Sequence, residues 1–223
     1  MKFDKISNVL KYIAGFPRSL YVNFRLLPFS EAIRLPIIVS TQTQLSSLEG
    51  KVTLGKVKTG IIRIGFGSVR LVDYSNERTI LHIEGHIHFQ GKTKIGKASK
   101  IEVGKNATLT FGENFLSSAK ATIICHKKVT IGKDCIFAWD SLVMDTDYHD
   151  ILDRTHKRIN EDAPISIADK VWLGTRTTIL KGATIPKETV VAAGSIVAKN
   201  YTQENTILAG NPAKVVKEAI YWR

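Results

Sequence analysis

Residues 167–202 divide into six groups of six residues, IADKVW LGTRTT ILKGAT IPKETV VAAGSI VAKNYT. The first residue of every group is aliphatic, and the fifth residue of the first five groups is small or β-branched. An α-helix repeats near every 3.6 residues and a simple strand every two, so a period of six indicates neither. It predicts a chain that turns a corner after each group, so that three short strands complete one coil.

The same register recurs upstream, with slips of phase near residue 101 and over residues 121–130. A single coil cannot bury its own core, so several coils must stack. Between His149 and Ile167 the groups become polar and irregular, which predicts a loop that interrupts or replaces a coil. The upstream first positions are Ile83, Phe89, Ile95, Val103, Leu109, Phe115, Ile131, Phe137 and Val143.

Three motifs accompany the repeat: VWLG at 171–174, AAGSIVAKN at 192–200 and GNPAKVVK at 210–217. Together with the groups of six they resemble the hexapeptide-repeat acyltransferases, over roughly residues 50–217. The resemblance implies an all-β fold, a left-handed parallel β-helix, and a homotrimer with each active site between two subunits. It divides the chain into an N-terminal cap (1–48), the β-helix (49–205) and a C-terminal tail (206–223) that contributes to CoA binding.

The composition is that of a soluble globular protein with a large excess of positive charge. There are 32 Lys and Arg against 20 Asp and Glu, a net charge of +12, which favours an anionic partner without selecting one. Cys125 and Cys135 do not suggest a disulfide framework, so we expect reduced thiols and a cytoplasmic protein. Charged residues such as Asp4 and Lys5 interrupt any secretory signal, and no apolar stretch reaches the ~20 residues of a membrane span.

The N-terminal 38 residues admit two interpretations. Residues 5–15 place Ile6, Val9, Leu10 and Ile13 on one helical face, and residues 16–38 are apolar and aromatic with spaced arginines. This segment is expected to cap the first coil, because the end of a solenoid is a bare sheet edge. The alternative is peripheral contact with the inner face of a membrane, with the arginines on anionic lipid and the aromatic rings inserted.

A cluster of histidines in the segment HIEGHIH raises the alternative of a metal-dependent hydratase of the carbonic-anhydrase type. Strand alternation directs His82, His86 and His88 outward, opposite Ile83 and Ile87. Zinc requires converging ligands and an open position, so no metal is expected. A nucleic-acid-binding function is not expected either, because the sequence lacks a motif of stacked aromatic residues on a basic sheet.

The segment VMDTDYHDI, residues 143–151, contains the candidate catalytic group. The resemblance implies that His149 is the general base, and a neutral imidazole suits the removal of a hydroxyl proton near neutral pH. Asp145 and Asp147 are close enough in sequence for either to orient the ring or stabilise the imidazolium. Weaker candidates for the base are His126 and His156.

The resemblance also assigns residues to acetyl-CoA, the implied co-substrate. Lysine binds phosphate as a point charge rather than as a bidentate fork. From the thioester towards the phosphates, the assigned residues are Trp172, Gly174 and Thr175, then Ala193, Ala198 and Lys199, and finally Lys214 and Lys217.

The sequence therefore favours acetyl transfer from acetyl-CoA to a hydroxyl of a sugar or surface-polysaccharide precursor. The segment DTDYHDI resembles versions found in enzymes that modify surface polysaccharides. N-acylation of an amino sugar nucleotide is the alternative within the same fold. The sequence does not identify the small-molecule or glycan acceptor.

Overall fold

The computed structural model describes residues 13–67, 69, 73 and 76–223. Two helices, α1 (Phe16–Leu26) and α2 (Phe29–Ala32), precede the strands. The strands are β1 (Ile37–Val39), β2 (Thr43–Leu48), β3 (Lys51–Leu54), β4 (Ile62–Ile64), β5 (Thr79–Ile83), β6 (His86–Phe89), β7 (Thr93–Ile95), β8 (Lys100–Val103), β9 (Thr108–Phe111), β10 (Phe115–Ser117), β11 (Thr122–Cys125), β12 (Lys128–Ile131), β13 (Ile136–Phe137), β14 (Leu142–Met144), β15 (Ile165–Ile167), β16 (Trp172–Leu173), β17 (Thr178–Leu180), β18 (Thr184–Ile185), β19 (Val190–Val191), β20 (Ile196–Val197), β21 (Ile207–Gly210) and β22 (Ala213–Lys217).

Up to β20, each strand pairs with the strand three places earlier in the chain, and this pairing produces three sheets. Sheet A runs β1-β4-β7-β10-β13-β16-β19-β21-β22, sheet B runs β2-β5-β8-β11-β14-β17-β20, and sheet C runs β3-β6-β9-β12-β15-β18. All neighbouring strands are parallel except β21 and β22, which are antiparallel. The predicted left-handed parallel β-helix is confirmed.

The period of six corresponds directly to the packing of the core. The aliphatic first positions from Ile167 to Val197 are all buried, and so are the small fifth positions from Val171 to Ser195. Leu173 pairs with Val191, 18 residues further on. Upstream, Leu116 pairs with Ile136, 20 residues further on, so these longer coils account for the slips of phase.

The coils begin and end at different residues from those that the sequence predicts. Strands β1 and β2 lie within residues 37–48, so the stacked coils start before residue 49 and helix α1 forms the cap. At the other end, β21 extends sheet A beyond residue 205. Residues 5–12 of the expected N-terminal helical face lie outside the described residues. None of the described helices is long and apolar enough to cross a lipid bilayer.

Helix α1 covers the open edge of sheet A with polar side chains. The Asn23 amide nitrogen donates to the Ile37 carbonyl at 2.7 Å, and its oxygen accepts from the Ile37 N–H at 3.1 Å. The Ser19 hydroxyl accepts from the Val39 N–H at 3.0 Å and donates to the Gly15 carbonyl at 2.9 Å. These side chains satisfy backbone groups of β1 that would otherwise be buried without partners.

Replacing Asn23 with alanine is expected to destabilise the protein by about 1–3 kcal/mol, because two backbone groups of Ile37 lose buried partners. Chemical denaturation measures the change. The control is Ser30→Ala, because Ser30 is exposed on α2, and it should shift the free energy of unfolding by no more than about 0.5 kcal/mol. Equal stability of the Asn23→Ala and Ser30→Ala variants would contradict this account of the cap.

Two lines of corners matter for function. The A–B edge joins sheet A to sheet B, and the B–C edge joins sheet B to sheet C. Residues 145–164, between β14 and β15, leave the B–C edge as a long loop, here called the B–C loop. Ile131 still pairs with Ile167, so the loop interrupts a corner without replacing a coil.

The two cysteines are free and buried in the core. Burial raises the pKa of Cys135 to about 12 and also raises the pKa of Cys125. Both thiols therefore stay protonated near neutral pH, which makes them poor nucleophiles.

Candidate active site

A network around Asp147 and Asn160 fixes the base of the B–C loop. The Asn160 amide nitrogen donates to the Asp147 carboxylate and to the His149 carbonyl, both at 2.8 Å. Lys181, from the next B–C corner, donates to the same Asp147 oxygen at 2.5 Å and to the Asn160 carbonyl at 2.7 Å. The hydrogen bond from Lys181, followed by the one from Asn160, lowers the pKa of Asp147.

His149 is held by its backbone and presents its ring to solvent. Its N–H donates to the Asp147 carbonyl at 2.7 Å, and its side chain is exposed. Across the described part of the chain, the ring has no hydrogen-bond partner. The Asp147 carboxylate contacts Lys181 and Asn160 instead of the ring, so Asp147 orients the backbone of His149 and does not contact its imidazole.

Asp145 does not take the expected position beside the imidazole. The side chain is fully buried, and its carboxylate accepts from the backbone N–H groups of His126, Lys127 and Lys128 at 2.6, 2.9 and 2.7 Å. Since these bonds fix the preceding B–C corner, Asp145 is a structural residue beneath the loop. The expectation that it orients the His149 ring is corrected on this geometry.

A second cluster, which the sequence did not reveal, forms below the loop. The Tyr148 ring packs edge-on against the His126 ring, with centroids 4.9 Å apart. The His126 Nε2 lies 2.9 Å from the Glu102 carboxylate. Burial opposes ionisation of Glu102, but its interactions with His126 and Tyr148 leave its pKa lowered. Burial and the interaction with Glu102 raise the pKa of Tyr148.

The other histidines lie apart from this arrangement. His156 is exposed in the B–C loop. On the outer face of sheet C, His86 Nε2 and His88 Nδ1 lie 2.9 and 2.7 Å from the Thr53 hydroxyl. His82 lies 3.5 Å from Glu84. Among the residues described, no group of three or more His, Cys, Asp or Glu is arranged to hold a metal ion.

Trp172 lies on the outer face of sheet A, beside the A–B edge. Its indole is 41% exposed and lies 6.1 Å, between ring centroids, from the indole of Trp222. Trp222 donates its Nε1–H to the Lys170 carbonyl at 2.9 Å, so the C-terminal tail folds back onto this coil. No sequence motif indicated the contact with Trp222.

Small residues line the A–B edge next to Trp172. A Cβ on Gly174 would lie 2.7 Å from the Ala193 nitrogen, so only glycine permits this stacking of corners. Ala193 is exposed. Among the described residues, the buried Thr175 hydroxyl has no hydrogen-bond partner, while the Thr175 carbonyl accepts from the Gly194 N–H at 2.9 Å.

The remaining residues assigned to acetyl-CoA lie on the B–C edge and in the tail. Ala198 and Lys199 are exposed on the B–C edge directly after β20, and Lys214 and Lys217 are exposed on β22. Tyr201 connects these regions, because its ring lies 5.3 Å from the Lys199 ammonium and its hydroxyl donates to the Ala213 carbonyl. Within one chain, the assigned residues are therefore divided between two edges.

No protein-family model matches the chain. It is 32% identical over 143 residues, 64% of its length, to a polysialic acid O-acetyltransferase of Escherichia coli O1:K1 / APEC, covering 44% of that protein. The chain spans about half the length of the first curated relatives it matches. In structure it is similar to the polysialic-acid-specific acetyltransferase NeuO, with a TM-score of 0.56, 26% identity, and coverage of 84% of this chain and 78% of that one.

The chain also matches a second relative, over most of that relative's length. The chain is 30% identical over 146 residues, 60% of its length, to a putative lipopolysaccharide biosynthesis O-acetyl transferase of Escherichia coli K12, and covers 73% of that protein. The chain belongs to the hexapeptide-repeat acyltransferase family.

Proposed function

We propose that this protein is an acetyl-CoA-dependent O-acetyltransferase that acts on a hydroxyl of a sugar or polysaccharide precursor. The observation that carries the proposal is His149, whose backbone is fixed by Asp147 and Asn160 while its exposed ring has no hydrogen-bond partner among the described residues. The names of the relatives, which refer to O-acetylation of polysialic acid and to lipopolysaccharide biosynthesis, support the choice of a saccharide hydroxyl.

In this mechanism the neutral His149 ring accepts the proton of the acceptor hydroxyl as its oxygen attacks the thioester carbonyl. The new ester C–O bond forms and the C–S bond breaks. His149 then returns the proton to the departing sulfur, so CoA leaves as a thiol. Asp147 and Asn160 hold the histidine backbone in place before the acceptor arrives, which reduces the entropy lost in the reaction.

The outer face of sheet B supports a threefold assembly. Its central and C-terminal coils carry apolar side chains outward, whereas the outer face of sheet C is polar. If sheet B faces a threefold axis, the A–B edge of one subunit meets the B–C edge of its neighbour. The apolar residues are Ile124, Leu142, Met144, Leu180 and Ile196.

This assembly would bring together the residues assigned to acetyl-CoA that lie on separate edges within one chain. Gly174, Thr175 and Ala193 of one subunit would face His149 and Lys199 of the next. The small residues Gly174 and Ala193, and the buried Thr175 hydroxyl with no hydrogen-bond partner among the described residues, suit a narrow channel for pantetheine. The lysines at the C-terminal end suit the phosphates of CoA.

Reversing the charges of Lys199, Lys214 and Lys217 together is expected to weaken acetyl-CoA binding by roughly 10–100-fold, because exposed ion pairs contribute about 0.5–1 kcal/mol each. Calorimetric titration at two salt concentrations measures the loss and the reduced salt dependence. The matched control reverses three exposed lysines of the N-terminal coils, Lys51, Lys92 and Lys94. Unchanged affinity in the first variant would remove these lysines from the phosphate site.

Tyr148→Phe is expected to lower kcat about 5-fold, because it removes the electrostatic interaction of the Tyr148 hydroxyl with Glu102, next to the His126 ring on which Tyr148 packs. The KM for acetyl-CoA should not change. Steady-state kinetics provide both values, and Tyr221→Phe, at a site that is 83% exposed, is the control. A wild-type kcat for Tyr148→Phe would show that the hydroxyl does not position His149.

The proposed function is tested by following CoA thiol release from acetyl-CoA over a panel of neutral and acidic saccharides. Release that depends on both substrates is the expected result. An alkali-stable amide product would favour N-acylation, and binding of acetyl-CoA with no transfer to any saccharide would count against the proposal.

A further inference from the structure

Helix α1 directs its aromatic residues away from the protein. The side that packs on β1 and the core consists of Ser19, Val22, Asn23 and Leu26, all buried. Two of these four residues are polar, and they form hydrogen bonds with backbone groups of β1 at the edge of sheet A. The opposite side carries large apolar residues that are 40–59% exposed, namely Phe16, Leu20, Tyr21 and Phe24.

The exposed residues of the two helices form one surface, here called the cap patch. Phe16, Leu20 and Phe24 follow one another at intervals of four, so they share one row on the helix. The Phe24 and Phe29 rings lie 5.7 Å apart, and Phe29 is 72% exposed. A contiguous apolar surface of this kind usually marks a binding site. The cap patch consists of Phe16, Leu20, Tyr21, Phe24, Phe29 and Ile33.

Positive charges border the cap patch. Arg18, Arg25 and Arg34 are exposed, and none of them forms an ion pair within the described residues. Glu31 is the single acidic residue between positions 13 and 36. Arginines beside exposed aromatic residues are the composition of segments that bind anionic membrane surfaces.

Two adjoining grooves repeat this pairing of apolar and cationic surface. An apolar groove of about 500 Å³ is lined by residues that include Phe16, Ile38 and Arg63. A second groove of about 410 Å³ shares Arg63 and is bordered by Lys58 and Lys94. An apolar trough that opens beside cations has the chemistry to hold an acyl chain next to its phosphate headgroup.

We propose that the N-terminal cap docks this protein on an anionic phospholipid bilayer, with the cap patch inserted at the interface and the arginines on the headgroups. A second copy is a poorer occupant, because patch-to-patch packing would bring Arg18 and Arg25 against like charges. If the threefold assembly of the proposed function forms, its three caps lie at one end and bind the same surface with increased avidity.

The test is cosedimentation of the full-length protein with vesicles. Binding is expected for vesicles of phosphatidylcholine with about one third phosphatidylglycerol, and not for phosphatidylcholine alone, with weakening at high salt. Leu20→Ser combined with Phe24→Ser, and separately Arg18→Glu combined with Arg25→Glu, should each reduce binding about tenfold or more. All four side chains are exposed, so these variants should fold.

Matched controls are Tyr221→Ser for the apolar change and Lys51→Glu with Lys105→Glu for the charge change, all at exposed positions outside the cap and its two grooves. Acetyl transfer to a soluble saccharide should be equal in every variant, so failure of docking and failure of the proposed function are distinguishable. The proposal is overturned if the protein stays in the supernatant with both vesicle types. It is also overturned if light scattering shows that the cap variants dissociate a larger assembly of copies.

Discussion

Replacing His149 with alanine is expected to lower kcat by roughly 10²–10⁴-fold, the range for loss of a general base. Acetyl-CoA affinity should be unchanged, because the imidazole is proposed to contact the acceptor hydroxyl and not the nucleotide. The free energy of unfolding should change by no more than about 0.5 kcal/mol, since the side chain is exposed and unbonded in the described part of the chain. Steady-state kinetics, calorimetry and denaturation provide the three values.

Two further variants sharpen this test. His149→Asn retains some hydrogen bonding but cannot accept the proton, so it should be nearly as inactive as alanine. His156→Ala changes an exposed histidine of the same B–C loop and should retain wild-type activity. Wild-type activity should decline at acid pH, because a protonated imidazole cannot act as a base. A folded His149→Ala protein that acetylates at the wild-type rate would make His126 the next candidate.

Mixing two inactive variants is expected to restore activity, because each active site is proposed to use edges from two subunits. His149→Ala removes the base from the B–C edge, and Ala193→Trp fills the channel on the A–B edge, where Ala193 is exposed. Each variant alone should be inactive. In randomly mixed trimers about one site in four combines two intact edges, so roughly a quarter of the wild-type rate should return.

The control pair has both changes on the same edge. Ala198 follows β20 on the B–C edge, as His149 follows β14, so mixing His149→Ala with Ala198→Trp should leave every site defective. Native mass spectrometry verifies that mixed assemblies form in both experiments. The shared site is wrong if the first pair assembles but stays inactive, or if both pairs recover equally.

The core could be predicted from the sequence because the repeat of six is itself the packing pattern. Every first position from Ile167 to Val197 faces inward, and each coil repeats the position of the one below. The loop after Met144 was also visible, since polar residues replace the periodic aliphatic ones over residues 149–166.

The contacts around the candidate base could not be predicted in the same way. Glu102, His126 and Tyr148 are brought together by stacking of coils of unequal length, so their spacing in sequence carries no signal. Lys181 bonds to Asp147 although the two residues are 34 positions apart in sequence, on opposite sides of the B–C loop segment. The closeness of Asp145 in sequence was also misleading, because its carboxylate turns inward to the amides of the preceding corner.

The N-terminal helix shows a related limit. The sequence did not show which side of this helix packs on the coil; the edge of β1 requires hydrogen-bonding partners, which Ser19 and Asn23 supply. Pro17 in the first turn is compatible with a helix start, because the first N–H groups of a helix have no partner within it.

The most direct test of acetyl transfer by His149 is mass analysis of saccharides after incubation with acetyl-CoA and either wild-type or His149→Ala protein. The expected result is one or more added acetyl groups that mild alkali removes as esters, present with the wild type and absent with the variant. The account is contradicted if the wild type binds acetyl-CoA yet adds no ester to any saccharide, or if both proteins add it equally.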